Sequence, residues 1–353
     1  QNMGHKNKET DKKNLKLTDL SSIGEFGLID LITKDFEIIN DTTELSVGDD
    51  AAILDYRTDK SIVTTDMLVE GVHFDLSYFP LKHLGYKSVV ASISDVCAMN
   101  GITKQITVSI AVSNRFKLES VQELYSGIKL ACKRYNVDLV GGDTTSSLKG
   151  LVISVTAIGI PAKSGYVTRG GSKHNDLVIV SGSLGGAYLG LQVLEREKQV
   201  FLVNPNSKPD LSNYKHIVER QLKPEARNDV IDFFIENKIK PTSMIDISDG
   251  LSSEILHLCK NSGLGCRIYE EKIPIAQESL DTCEEFKLEA STIALSGGED
   301  YELLFTIDSK DLEKVENHPD LSVIGHMTKE SDVNLITKGG KTTPISSMGW
   351  KSF

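Results

Sequence analysis

The sequence predicts an α/β (α+β) protein built as two domains, on three observations: a length of 353 residues, apolar β-rich runs alternating with helical stretches, and Gly and Asp residues bounding those runs. A chain this long exceeds what one hydrophobic core usually serves. Apolar content of 39% with 25% charged residues and 28 glycines is that of a globular protein, neither disordered nor membrane-spanning. No apolar run approaches the roughly 20 residues that a membrane helix needs.

Residues 1–16 are polar and lysine-rich, without the apolar core of a secretory signal, and read as a frayed lead-in. Ser61 to Thr65 reads as a strand that stops at Asp66. Leu81 to Met99 reads as a helix with Tyr86, Val89, Val90, Ile93, Val96 and Cys97 on its apolar face. Gln105 to Val112 is a strand, Leu118 to Tyr135 a helix, and Val137 to Val140 a short strand ending at Gly141-Gly142-Asp143. After a strand over Leu151 to Ile160, Pro161 and Gly165 break the pattern, which divides the chain into domains over 17–160 and 161–353.

The second half repeats the logic with a strand over Asp176 to Ser181, a turn at Gly182 to Gly186 and a helix over Ala187 to Glu197. Phe201 to Tyr214 is rich in Asn, Pro and Ser and reads as a loop. Helices follow near His216 to Leu222 and Glu225 to Asn237, then a strand over Met244 to Ile247. A helix over Leu251 to Asn261 is closed by Gly263, and Tyr301 to Ile307 is a late strand.

A net charge of −11 disfavours nucleic acid as the main partner, because phosphate backbones are held by clustered Lys and Arg. An anionic substrate would have to be reached through bound cations. Cys97, Cys132, Cys259, Cys266 and Cys283 are odd in number, widely spaced and without a C-x-x-C pair, which favours reduced thiols in a cytoplasmic protein over disulfides or zinc.

Asp49 and Asp50 lie in a turn, whereas Asp66, Asp143 and Asp246 each follow or interrupt an apolar strand. Carboxylates gathered at a sheet edge repel one another unless a cation neutralises them, and Mg²⁺ suits hard oxygens while bridging to phosphates. Any one Asp can equally serve a turn or a helix cap, as Asp249 could for the helix that follows it. Asp95 lies inside a helix on a face of small residues, Ser88, Ala91 and Ser92, where a buried acid needs a partner. Gly340-Lys341-Thr342 imitates the end of a P-loop, but Leu335 occupies the place of its first glycine. Gly182-Ser183-Leu184-Gly185-Gly186 fits a phosphate at a helix N-terminus or a simple tight turn.

The motifs Gly24-Glu25-Phe26, Gly48-Asp49-Asp50-Ala51, Thr64 to Phe74, Ser94-Asp95, Gly141 to Thr145, Thr168-Arg169-Gly170, Asp246 to Leu251 and Ser296 to Leu303 run in one order along the chain. Together they resemble the thiamine-monophosphate kinase family, in the superfamily that also holds aminoimidazole-ribonucleotide synthetase and selenophosphate synthetase. The resemblance covers the chain from about Leu17 onward. It implies a two-domain synthetase-like fold, in which the N-terminal domain pairs with its twin in a homodimer to form a shared β-barrel.

The resemblance further implies Mg²⁺ ligands at Asp50, Thr64, Thr65, Asp66, Asp95, Asp143, Asp246 and Asp249. It implies ATP contacts at Gly142, Asp143, Arg169 and Ser248, with Tyr135 a further nucleotide candidate, and a thiamine monophosphate pocket lined by His73, Glu299 and Trp350. Asn100, Ala226 and the segment Gly349 to Phe353 depart from the family pattern, but none of these is a presumed metal ligand. The expected reaction is direct in-line phosphoryl transfer from ATP without a protein nucleophile, so substitution of lysines or blocking of cysteines is expected to leave activity largely intact. Two rival readings are another ATP-dependent member of the superfamily and a non-catalytic Mg-nucleotide sensor. A first cysteine as late as Cys97 speaks against selenide chemistry.

Overall fold

The computed structural model describes residues 18–46, 53–57 and 60–346. The first half runs α1 (Gly24–Thr33), a ribbon of β1 (Thr43–Leu45) and β2 (Ile53–Leu54), β3 (Ile62–Val69), α2 (Leu81–Ala98), β4 (Gly101–Val112), α3 (Leu118–Tyr135), β5 (Asp138–Ser146) and β6 (Val152–Pro161). Strands β3, β6, β4 and β5 form one sheet in that order, antiparallel except for the parallel β4–β5 pair.

The residues of β4 alternate between the two faces, so Ile106, Val108 and Ile110 join the interior with α2 and α3. The two helices touch backbone to backbone: a Cβ on Gly127 would lie 1.8 Å from the carbonyl oxygen of Lys82, and one on Gly85 would lie 2.0 Å from that of Leu124. Only glycine permits that approach. The other face of the sheet is open, leaving Val63 and Met67 62% and 59% exposed.

The second half continues with β7 (Leu177–Ser181), α4 (Gly186–Val203), α5 (Lys215–Leu222), α6 (Asn228–Glu236), β8 (Ser243–Asp246), α7 (Leu251–Ser262), β9 (Gly265–Tyr269), α8 (Gln277–Phe286), α9 (Ala290–Ser296), β10 (Leu303–Ile307), α10 (Leu312–Val315), β11 (Leu321–Thr328), β12 (Val333–Ile336) and β13 (Thr342–Pro344). Its seven strands lie in the order β13-β12-β9-β11-β7-β10-β8. Alternate residues feed two cores: Val178, Val180 and Leu304 pack with α7, whereas Ile179 and Phe305 pack with α4, α5 and α6. The second of these cores is continuous with that of the first half, through α2.

Several boundaries differ from those the sequence predicts. Strand β3 runs on through Asp66 to Val69, because Asp66 finds a hydroxyl partner on α2 and the apolar alternation continues beyond it. Strand β5 runs through Gly141-Gly142-Asp143 to Ser146, so Asp143 lies within a strand and not after one. Helix α4 extends to Val203, into the expected loop. Gly263 does close α7, with φ of +65°.

Candidate active site

Helix α2 is the element on which the site is assembled. From β3, Thr64 and Asp66 face it: Thr64 Oγ1 donates to Asp95 Oδ2 at 2.6 Å, and Ser92 Oγ donates to Asp66 Oδ2 at 2.7 Å. From the other half, β8 ends on Asp246, whose Oδ2 accepts from Ser94 Oγ at 2.7 Å. One turn of one helix thereby draws together carboxylates from both sheets.

These acids sit where charge is costly. Burial raises Asp66 to about 6, with a further push from Asp95 that outweighs the Ser92 hydrogen bond. Asp246 is fully buried and rises to about 7, mainly through burial and then through Asp95 and Asp66. Asp95 is also raised by burial, with Thr64 and Arg169 acting against the rise.

Just beyond β8, Ser248-Asp249-Gly250 turns into α7, with Gly250 at φ +116°. Glu254, buried on that helix, holds the turn: its Oε1 accepts from the backbone N–H groups of Asp249 at 2.8 Å and Ser248 at 3.2 Å. Burial lifts Glu254 to about 8 despite these bonds, and its Oε2 is buried with no partner among the described residues. Sequence reasoning missed Glu254, although an acid one turn into the helix behind Ser-Asp-Gly was a visible signal. Asp249 is raised by burial, while His257 and Arg169 act to lower it.

A cavity of about 710 Å³ opens against this group, lined by Lys60, Thr64, Asp95, Tyr166, Arg169 and Asp246 among others. Glu299 lies on the same seam, in the left-handed region at φ +64°, with its N–H bonded to the Ser248 carbonyl at 2.8 Å. Its carboxylate meets Lys87 at 3.1 Å and accepts from Gln221 Nε2 at 3.1 Å. His73 lies in the turn after β3, where Nδ1 accepts the backbone N–H of Val69 at 2.9 Å.

Other predicted site residues are placed elsewhere. Cross-strand register puts Asp143 in one row with Ser109, Ser154 and Met67, on the open face and at the far edge from β3. Three strand spacings separate it from that edge, roughly 14 Å. Gly142 is its neighbour on β5, exposed and packed so close to β4 that a Cβ would fall 1.8 Å from the Val108 oxygen. Thr65 also takes the open face, accepting from Thr156 Oγ1 at 3.1 Å.

Tyr135 is buried at the end of α3, where its hydroxyl bonds Glu225 and accepts the N–H of Ala226 at 2.9 Å, away from the cavity. The Gly182–Gly186 turn is already occupied: Asp300, wholly buried, accepts from the N–H groups of Gly185 at 2.8 Å and Ala187 at 3.3 Å, where a phosphate would sit. Asp50 and Trp350 lie outside the described residues.

The donor set suits a divalent cation in part. Among the described residues no three such side chains converge on a common ion position. Buried carboxylates facing one another with hydroxyl donors are nevertheless a set that a cation would relieve, and Mg²⁺ is commonly held by one or two carboxylates together with waters and phosphates.

The two-sheet fold, with an acid-lined seam between its halves, defines a class, that of the AIR synthase related proteins. Residues 48–161 match the AIR synthase related protein N-terminal domain, and residues 173–338 match the corresponding C-terminal domain. The chain is 36% identical over 335 residues to the thiamine-monophosphate kinase of Aquifex aeolicus, covering 95% of this chain and 99% of that protein. It is 32% identical over 327 residues to the Bacillus subtilis enzyme of the same name, covering 91% and 96%. The solved structure of AaThiL complexed with AMPPCP and TMP superposes with a TM-score of 0.73 at 34% identity, over 95% of this chain and 98% of that one. The chain belongs to the AIR synthase related family and, within it, to the thiamine-monophosphate kinases.

Proposed function

We infer that this protein phosphorylates thiamine monophosphate with ATP, giving thiamine diphosphate and ADP. The observation that carries the reading is that one turn of α2 engages Asp66 and Asp246 through Ser92 and Ser94 and itself bears Asp95, beside a cavity that also presents Arg169. The relatives named above bear that activity in their names, and AMPPCP and TMP accompany the AaThiL structure.

A phosphate oxygen of the acceptor attacks the γ-phosphorus of ATP, and the bond from that phosphorus to the ADP oxygen breaks. A phosphate monoester is largely ionised at neutral pH, so no strong base is needed to activate it. The obstacle is the meeting of two anions, which positioning and charge neutralisation overcome. Asp66, Asp95, Asp246 and Asp249 with Thr64 would hold Mg²⁺; Asp50, Thr65 and Asp143 are the further ligands that the family resemblance implies, Thr65 and Asp143 lying on the opposite face of the sheet. Bound Mg²⁺ supplies positive charge to the phosphates.

Arg169 sets a fixed positive charge against the nucleotide, and Ser248 and Gly142 offer it hydrogen-bonding and close backbone contact. Glu299, His73 and Trp350 are assigned to acceptor binding, His73 as a positioning group because its Nδ1 is engaged by Val69. Pairing of two chains through the open sheet face would cover Val63 and Met67 and enclose Asp143 and Thr65. Among the described residues no helix is long and apolar enough to cross a membrane.

Incubation with ATP, Mg²⁺ and thiamine monophosphate, followed by chromatography, tests the reading. Thiamine diphosphate is the expected product. Binding of nucleotide without product overturns it in favour of a sensor.

A further inference from the structure

Among the described residues Lys87 is the one lysine in the interior, and its side chain is wholly enclosed. A buried ammonium is costly unless it is paired and hydrogen-bonded. Lys87 is both: Nζ lies 3.1 Å from Glu299 Oε2, donates to the Gln221 carbonyl at 2.9 Å, and stands 5.4 Å from the centre of the Phe79 ring. Glu299 keeps 30% of its side chain exposed, so the pair links the interior to a surface that a ligand can reach, and replacing a buried pair by apolar residues is often neutral for stability.

Its position on the helix gives the pair a purpose. Lys87 and Ser94 are seven residues apart on α2 and therefore share a face. That face is the seam with the second half: Ser94 holds Asp246 there, and Lys87 holds Glu299. Glu299 is itself in a backbone conformation that disfavours a side chain, at φ +64°, and so is Tyr301 two residues on, at φ +52°. Something must fix such a residue, and the fixed charge of Lys87 with the amide of Gln221 supplies the contacts.

We propose that Lys87 is a positioning residue for acceptor binding, holding the Glu299 carboxylate in the geometry the thiamine monophosphate pocket requires. The inference rests on the reading that Glu299 lines that pocket, and it departs from the expectation that lysine substitutions leave activity intact. Lys87 acts through Glu299, so its removal and the removal of the carboxylate should strike the same step. ATP, held at Arg169 and the acid cluster, should be indifferent to both.

The test compares K87M, E299Q and the double variant with the wild type, measuring KM for thiamine monophosphate and for ATP separately from kcat. K87M is expected to raise the acceptor KM about tenfold, as loss of a charge-assisted contact does, with the ATP KM within about twofold. The double variant is expected to be no worse than the more impaired single one, because the two residues act as one unit. K87R is run alongside, with thermal melting of each protein; if K87M does not fold, a displaced guanidinium should still raise the acceptor KM selectively. An acceptor KM unchanged in K87M and K87R while E299Q raises it overturns the proposal, as do additive effects or equal rises in both KM values. An E299Q variant with normal acceptor KM overturns the pocket assignment beneath it.

Discussion

Asp246 and Asp143 each follow an apolar run in the sequence, yet they occupy opposite environments. Asp246 ends β8 in a fully buried seam against α2, where burial first, and then Asp95 and Asp66, push it up to about 7. Asp143 lies mid-strand on an exposed face at the far edge of the other sheet, with its Oδ1 bonded to the adjacent Thr144 N–H at 2.9 Å. The difference teaches that two aspartates with the same signature in the sequence are set apart by what packs over them: α2 and β8 enclose Asp246, whereas Asp143 stays exposed on the open face of its sheet.

The sharpest way to break that comparison is Asp246→Asn. Loss of a charge that the cation needs should lower kcat by about three orders of magnitude. The same change relieves repulsion with Asp95 and Asp66, so the metal-free protein should melt higher. Turnover near the wild-type value, or a lower melting temperature without metal, would remove Asp246 from the proposed ligand set. Asp143→Asn should cost less, about two orders of magnitude in kcat, and should leave the metal-free melting temperature unchanged because its carboxylate faces solvent. Near-normal steady-state turnover of this variant would mean that β5 takes no part in the site.

Proton competition provides a third, smaller effect. Asp246 and Asp66 bind protons more tightly in the folded state than in the unfolded chain, with values near 7 and 6 against 3.8. Their contribution to the stability of the metal-free protein is therefore present at low pH and is lost as pH rises from about 4 through 7. Mg²⁺ binding must displace those protons, so its apparent affinity should fall about tenfold from pH 8 to pH 6. Calorimetric titration across that range checks the slope, and a flat profile would show that these carboxylates do not meet the ion.

The smallest effect belongs to Tyr135. Tyr135→Phe removes a hydroxyl that bonds Glu225 and the Ala226 N–H, and should cost about 1 kcal/mol of stability. Its KM for ATP should stay within about twofold of the wild type. A large rise in that KM would restore Tyr135 to the nucleotide site.

Much of this was legible beforehand. The long helix around Asp95 betrayed itself by its apolar spacing, and the small residues beside that acid signalled close approach by other elements, which prove to be β3 and β6. The Gly-rich turn before α4 was ambiguous, since nothing local shows that Asp300, more than a hundred residues later, fills it. Glu254 and Lys87 escaped notice for the same reason. An acid and a lysine on a helix read as ordinary surface charges until the packing that encloses them is known.

The sequence by itself determined the alternation of strands and helices, the family to which the chain belongs and which aspartates are candidates for its chemistry, because periodicity and motif spacing are local properties. Only the tertiary structure decided which of those aspartates meet. Neighbouring residues of a strand point to opposite faces, so Thr64 and Asp66 turn to α2 while Thr65 and Met67 turn away. Whether an acid is buried against another acid or left in water depends on what the rest of the chain packs over that face.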